Sequence, residues 1–222
     1  MLRSGRNRRT RPSVGETGTV ALGRPDDGAS RPLDLDRLIA NARRSLPRSH
    51  RSLLEQIGVQ DAVIYDWPSG VQDLYLTLRT TPPSGQRIAG ALALWLQEQR
   101  LVAYNGAVLT EALNDVGLSP STRQAAIDNI AWHEYGHALS VTLASADTKA
   151  AGPRLVELLP GGLRRAIDFP GAYAPRAVFD EVIANVYALM IGRAVHQDDY
   201  RVPSFIHAEV FEAFRGVVPW PP

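Results

Sequence analysis

The chain has 222 residues, 45% of them hydrophobic and 21% charged, with a formal net charge of +1. That length can bury a good core, and the composition suits a soluble globular protein. No apolar run approaches the ~20 residues of a membrane span. The absence of cysteine excludes disulfides and thiolate metal sites.

Charge is uneven along the chain. Arg3, Arg6, Arg8, Arg9 and Arg11 precede the first acid, Glu16, and without those five charges the remainder is near −4. Residues 1–31 are rich in arginine, glycine, serine, threonine and proline and read as a disordered tail. The tail has no apolar h-region, so a Sec-type signal peptide is not expected, and the location is cytoplasmic or reached by a non-Sec route. Its arginines would suit nucleic acid or an acidic surface, but a solvated leader is the plainer reading. Lys149 is the only lysine.

From Leu33 the pattern turns helical, with Leu35, Leu38, Ile39 and Ala42 on one face. Pro47 interrupts it, and Leu53, Leu54 and Ile57 continue it to Gly58. Ala62-Val63-Ile64-Tyr65 reads as a short strand, and 72–80 alternates as a second one. Ser84 then caps a predicted helix through about Gln99, with Ile88, Leu92 and Trp95 inward. Asn105-Gly106, flanked by Leu101–Tyr104 and Ala107–Leu109, predicts a hairpin.

A long helix follows. Ser119 is a suitable N-cap and Pro120 suits the first helical position. Within it lies His133-Glu134-Tyr135-Gly136-His137, an H-E-x-x-H sequence. One helical turn separates the two imidazoles, so both point at one place, with Glu134 beside them. Two neutral nitrogen ligands and a carboxylate base are what a zinc-dependent hydrolase needs. Chance would place this pattern in roughly half a percent of chains with this histidine and glutamate content. Gly136 costs about 1 kcal/mol in a helix relative to alanine, and its missing side chain would admit a close neighbour. Val156 to Gly162 predicts a short helix and a bend over the site.

Catalytic zinc usually takes three protein ligands. His196 and His207 lie downstream, but no third histidine follows the motif closely. Glu181 is the better candidate, because it lies on a strongly apolar helical stretch from Ala177 to Met190, where an acid is costly unless paired or metal-bound. The alternative is a solvent-facing acid near a helix start, a description that Asp180 fits better. Asn185 falls one turn after Glu181, from where it could accept a hydrogen bond from a ligand histidine and fix its tautomer.

The sequence from His133 to Ala138, and the helix Glu181-Val182-Ile183-Ala184-Asn185-Val186-Tyr187-Ala188-Leu189-Met190 behind Tyr173-Ala174-Pro175-Arg176, resemble the gluzincin metallopeptidases, and among them the anthrax lethal-factor-like peptidase domains. The spacing from His137 to Glu181 is similar, and the likeness covers residues 100–215. A more distant resemblance is to ImmA/IrrE-type metallopeptidases. The pattern departs at Asn185, where an acid is usual, and at Val182-Ile183, which replaces an aromatic pair.

The resemblance implies an α+β, zincin-like fold: a small mixed or antiparallel sheet packed on the H-E-x-x-H helix and on a second, glutamate-bearing helix. It would occupy residues 32–218 as one domain, with 32–99 as an N-terminal part and 100–215 as the core. It further implies one Zn²⁺ per chain held by His133, His137 and Glu181, Glu134 as general base, and Tyr173 as a hydrogen-bond donor to the oxyanion. His207 is a second-choice electrophile. A peptide or protein substrate is then the expected partner, with neither a membrane nor a nucleic acid required. Two rival expectations remain: a non-catalytic zinc-binding interaction module, and a regulator that binds nucleic acid through the N-terminal arginines.

Overall fold

Apolar periodicity and capping account for most of the helices. In a computed structural model that describes residues 33–67, 91–114, 117–167 and 174–221, α1 (Leu35–Ser45) buries Leu35, Leu38, Ile39 and Ala42. The Asp34 carboxylate caps it by accepting from Arg37 N. Pro47 starts α2 (Arg48–Ile57), which Gly58 ends with a left-handed φ of 82°. The predicted tail, the 72–80 strand, the start of the helix at Ser84, and Tyr173 all lie outside the described residues.

Among the described residues three strands follow: β1 (Gln60–Ile64), β2 (Ala93–Leu96) and β3 (Leu101–Asn105), in the order β1-β3-β2. β1 pairs parallel with β3, and β2 pairs antiparallel with it, Trp95 opposite Val102. The sheet is therefore mixed. The predicted helix through Gln99 is overturned at its end, because 93–96 is strand. A short apolar run such as Ala-Leu-Trp-Leu satisfies either period, and pairing with β3 decides it. The chain reverses through a tight turn in which Arg100 N donates to Gln97 O and Arg100 takes a φ of 50°.

The predicted hairpin at Asn105-Gly106 is also overturned. Gly106 opens α3 (Gly106–Leu113), and Asn105 is its N-cap, accepting from Val108 N at 3.2 Å. A two-residue type I′ turn needs positive φ at both central residues. Asn105 has φ −74° and Gly106 is not among the described glycines with positive φ. The glycine instead serves close packing, since a Cβ there would lie 2.7 Å from Val63 Cγ1.

The centre of the core is a pair of long helices. α4 (Pro120–Leu143) begins as expected, with Ser119 Oγ accepting from Thr122 N at 3.1 Å and Pro120 in the first turn. Three short helices, α5 (Ala146–Lys149), α6 (Gly152–Glu157) and α7 (Gly161–Ala166), lead to α8 (Pro175–Gln197). α9 (Ala208–Arg215) closes the chain. Leu33–Pro222 forms one compact unit. Trp132 Nε1 donates to Ala42 O at 3.1 Å and so ties α1 to α4. Fully buried His50 meets Pro219 O through Nε2 at 3.0 Å and ties the C-terminal segment to α2.

α4 and α8 cross in very close contact. A Cβ on Gly136 would sit 2.6 Å from Ala184 Cα and 3.1 Å from Tyr187 Cβ. The obstacle is backbone, which cannot rotate aside. We expect Gly136→Ala to lower the thermal midpoint of the metal-free protein. The gain of about 1 kcal/mol in helix propensity is outweighed by overpacking worth about 1–3 kcal/mol. A midpoint equal to or above the parent's would show that the two helices have room to separate.

Candidate metal centre

The crossing puts one stripe of α4 against one stripe of α8. His133, Gly136, His137 and Ser140 recur at helical spacing on the first, and Ala177, Asp180, Glu181 and Ala184 on the second. His133, His137 and Glu181 each offer a ligand atom, and these atoms all lie within 4.8 Å of one another. The two Nε2 atoms are 3.0 Å apart. Glu181 Oε2 is 3.5 Å from His133 Nε2, and Oε1 is 3.3 Å from His137 Nε2.

These separations test the fit of a metal. Tetrahedral zinc with bonds of about 2.0–2.1 Å spaces its ligand atoms about 3.3 Å apart, which the observed spacings bracket. The chemistry agrees, because three groups that can each offer a lone pair converge on one point, where a cation would satisfy them together. The three side chains form a group that could hold a metal ion.

Without the metal, a proton takes that place. Burial disfavours charge on His137, but the Glu181 carboxylate outweighs it, with further support from Glu134 and Asp180, and the imidazole is raised to about 9. Burial also opposes the charge on Glu181, but His137 and His133 hold it well below the ordinary carboxylate range.

Glu134 is buried at 7% exposure, on the same turn as the ligands. Its neighbour Tyr135 is anchored from behind. Tyr135 Oη and Tyr104 Oη both donate to Asp61 Oδ1, at 3.0 and 3.1 Å, and Arg43 Nη1 donates to Asp61 Oδ2 at 2.6 Å. Burial raises both phenols far above their ordinary value, so they remain neutral donors. This cluster joins α1, β1, β3 and α4 just under the motif. Tyr135 and Tyr187 are fully buried.

Two cavities open on the site and meet at His133 and Glu134. One, about 470 Å³, runs between β2 (Ala93–Leu96) and the ligands His133, His137 and Glu181. Among the described residues, the side of β2 away from β3 carries no strand. The other, about 490 Å³, is lined by Leu92, Ile130, Leu163 and Leu189, with the amides of Asn129 and Asn185. Leu163 comes from α7, one residue beyond the Val156–Gly162 segment expected over the site.

Two sequence expectations change here, for Asp180 and His207. The Asn185 amide nitrogen donates to Glu181 O at 2.9 Å, the carbonyl one turn back, while the group expected to accept from a histidine is its oxygen. Asp180 is no solvent-facing acid: it is 8% exposed, and it accepts from Ser140 Oγ at 2.6 Å. α8 starts at Pro175, two residues before the apolar stretch that marked it in the sequence, and Asp180 is among its buried residues. His207 caps α9, its Nδ1 accepting from Glu209 N at 3.2 Å, and His196 faces Asp128 at 3.8 Å, so neither joins the triad. The sequence reading missed Asp61, Ser140 and Lys149, because nothing in their local pattern marks them; each gains its partner from a distant segment.

No protein-family model, no curated protein and no solved structure matches this chain. The geometry therefore stands alone as support for the metal centre.

The pH dependence has a definite sign. The raised His137 stabilises the metal-free fold fully below about 6.5, its ordinary value, and loses that contribution as pH rises through about 9. The depressed Glu181 contributes above about 4.5 and loses its contribution in acid. The thermal midpoint of metal-free protein should therefore fall between pH 7 and 9, while zinc-loaded protein shows no such fall. Zinc uptake at pH 7 should release a proton, because ligand histidines bind neutral. Calorimetry in buffers of different ionisation enthalpy reads that release, and uptake without it would contradict the protonated pair.

Proposed function

We propose that this chain is a zinc-dependent metallopeptidase, with His133, His137 and Glu181 as ligands and Glu134 as general base. The convergence of the two Nε2 atoms and the Glu181 carboxylate at tetrahedral spacing, beside a buried Glu134 and an open cleft, carries the reading. Zinc bound there would polarise a scissile carbonyl and make water a nucleophile at neutral pH.

The protein's own groups do the rest. Two neutral imidazoles and one carboxylate would hold the ion, the protein-ligand number of a catalytic site. Glu134 takes the proton from the attacking water and delivers it to the leaving amine. Its place on the same helical turn as both histidines keeps it within reach of that water. By the resemblance, Tyr173 would donate to the oxyanion, as a phenol can stabilise developing charge without carrying charge itself. An extended peptide would pair with the side of β2 that carries no strand among the described residues, where main-chain hydrogen bonds supply affinity. The Asp61 cluster holds Tyr135, and through it the turn that carries Glu134.

Elemental analysis of the parent should find about one zinc per chain, and Glu181→Ala should weaken its retention. Glu134→Gln should keep the metal and lose at least about 10²-fold in turnover of a peptide-library substrate. His137→Ala should lose both metal and turnover. Hydrolysis by Glu134→Gln at the parent rate would refute the mechanism. Zinc held tightly by a parent that cleaves no peptide would favour the non-catalytic zinc module.

A further inference from the structure

A second polar cluster lies directly behind the triad, and the proposed chemistry does not use it. Ser140 Oγ donates to Asp180 Oδ1 at 2.6 Å. Lys149 Nζ lies 3.5 Å from the same oxygen and donates to Val141 O at 3.0 Å. All three side chains are buried, at 0%, 8% and 6% exposure for Ser140, Asp180 and Lys149. Val141 O lies in the last turn of α4, among the carbonyls that have no partner within the helix. A cation is favourable there. The chain's only lysine thus joins the end of α4 to α8 from α5.

A buried ion pair is a poor way to gain stability, because desolvation offsets the attraction and apolar residues of similar volume often serve as well or better. The contact between α4 and α8 already has such residues, with Leu139, Val182, Ile183 and Val186 fully buried. What the cluster adds is direction. Gly136 against Ala184 is one point of contact, about which two helices can still pivot. Ser140 to Asp180 is a second tie, one turn further along each helix. Glu181 lies between the two ties, next to Asp180 and three residues before Ala184. With both ties made, the backbone of Glu181 is held where its carboxylate can lie opposite the two Nε2 atoms, as observed.

We propose that Ser140, Asp180 and Lys149 are positioning residues for the metal centre: they set the crossing of α4 and α8 and thereby the ligand geometry of Glu181, without supplying a ligand. The proposal rests on the triad holding zinc. It goes beyond that reading by assigning the orienting role to a cluster that includes neither Asn185 nor any other residue in the motif.

The test uses the full chain and four variants: Ser140→Ala, Ser140→Thr, Lys149→Met and, as a control in the α9 core, Val210→Ala. Zinc Kd is measured by chelator competition at a temperature where each metal-free protein is folded by circular dichroism. The visible spectrum of the Co²⁺-loaded protein reports ligand geometry. Ser140→Ala and Lys149→Met should weaken zinc about 10- to 100-fold, the range for groups that orient metal ligands, and should change the Co²⁺ bands. Ser140→Thr, which keeps the hydroxyl, should recover most of the affinity. Val210→Ala should lower the melting temperature and leave Kd and spectrum unchanged.

Should Lys149→Met fail to fold, Ser140→Ala decides alone, since it leaves the ion pair intact. A folded Ser140→Ala protein with Kd within twofold of the parent and the same Co²⁺ spectrum overturns the proposal and leaves the cluster a stabilising contact only. A parent that binds neither zinc nor Co²⁺ overturns the metal reading, and the proposal with it.

Discussion

The close approach of two helix backbones at Gly136 and Ala184 is the constraint on which the site depends. Side chains on two helices usually hold their axes 8–10 Å apart, and at the wide end of that range a glutamate on one would reach past the histidines of the other only with difficulty. Removing one Cβ lets α4 and α8 meet backbone to backbone. His133 and His137 flank that contact on α4, and Glu181 precedes it on α8, so the three ligand atoms fall within 4.8 Å. The cost of a glycine inside a long helix is thereby repaid in geometry. Gly152 follows the same logic at the start of α8, where a Cβ would lie 2.3 Å from Pro175 O. Two missing side chains set where α8 begins to pack and where it crosses.

Electrostatics then couples the two histidines to the carboxylate. Two imidazole nitrogens 3.0 Å apart and facing the Glu181 carboxylate favour a positive charge among them. In the metal-free protein His137 holds that charge, and Glu181 remains ionised opposite it. A proton and a metal ion therefore compete for one position. The helices are held ready for either by contacts outside the triad. Asp61 with its phenols and Arg43 supports the Glu134 turn, and Asp180 with Ser140 and Lys149 supports the Glu181 turn.

The sheet has a different part. Its three strands place β2 beside the ligands, with a cleft of about 470 Å³ between them. β3 sits in the middle and is almost wholly buried, while β2 leaves one side without a strand partner among the described residues. Helices thus supply the candidate metal ligands, and the sheet lines the cleft beside them. A second, largely apolar cavity opens beside Glu134.

Much of this was determined by the sequence alone. A helical period of apolar residues, a serine cap and a proline at the first position specify α4 without reference to any neighbour. His133, Glu134 and His137 share a turn of that helix, so their convergence is a local fact. Glu181 could be singled out because an acid in so apolar a helix needs a partner. Other features were decided only by tertiary structure, because their partners are remote in sequence. Ala93–Leu96 could satisfy either period, and became strand by pairing with β3. Asn105-Gly106 has the composition of a turn, and became a helix cap because Val63 and Tyr65 press on the glycine. Asp180 and Asn185 each had a plausible local role, and the rotation of α8 against α4 gave one a buried serine and lysine and the other its own helix's carbonyl. Rotation of a helix about its axis is set by everything packed around it, and no short window of residues contains that information.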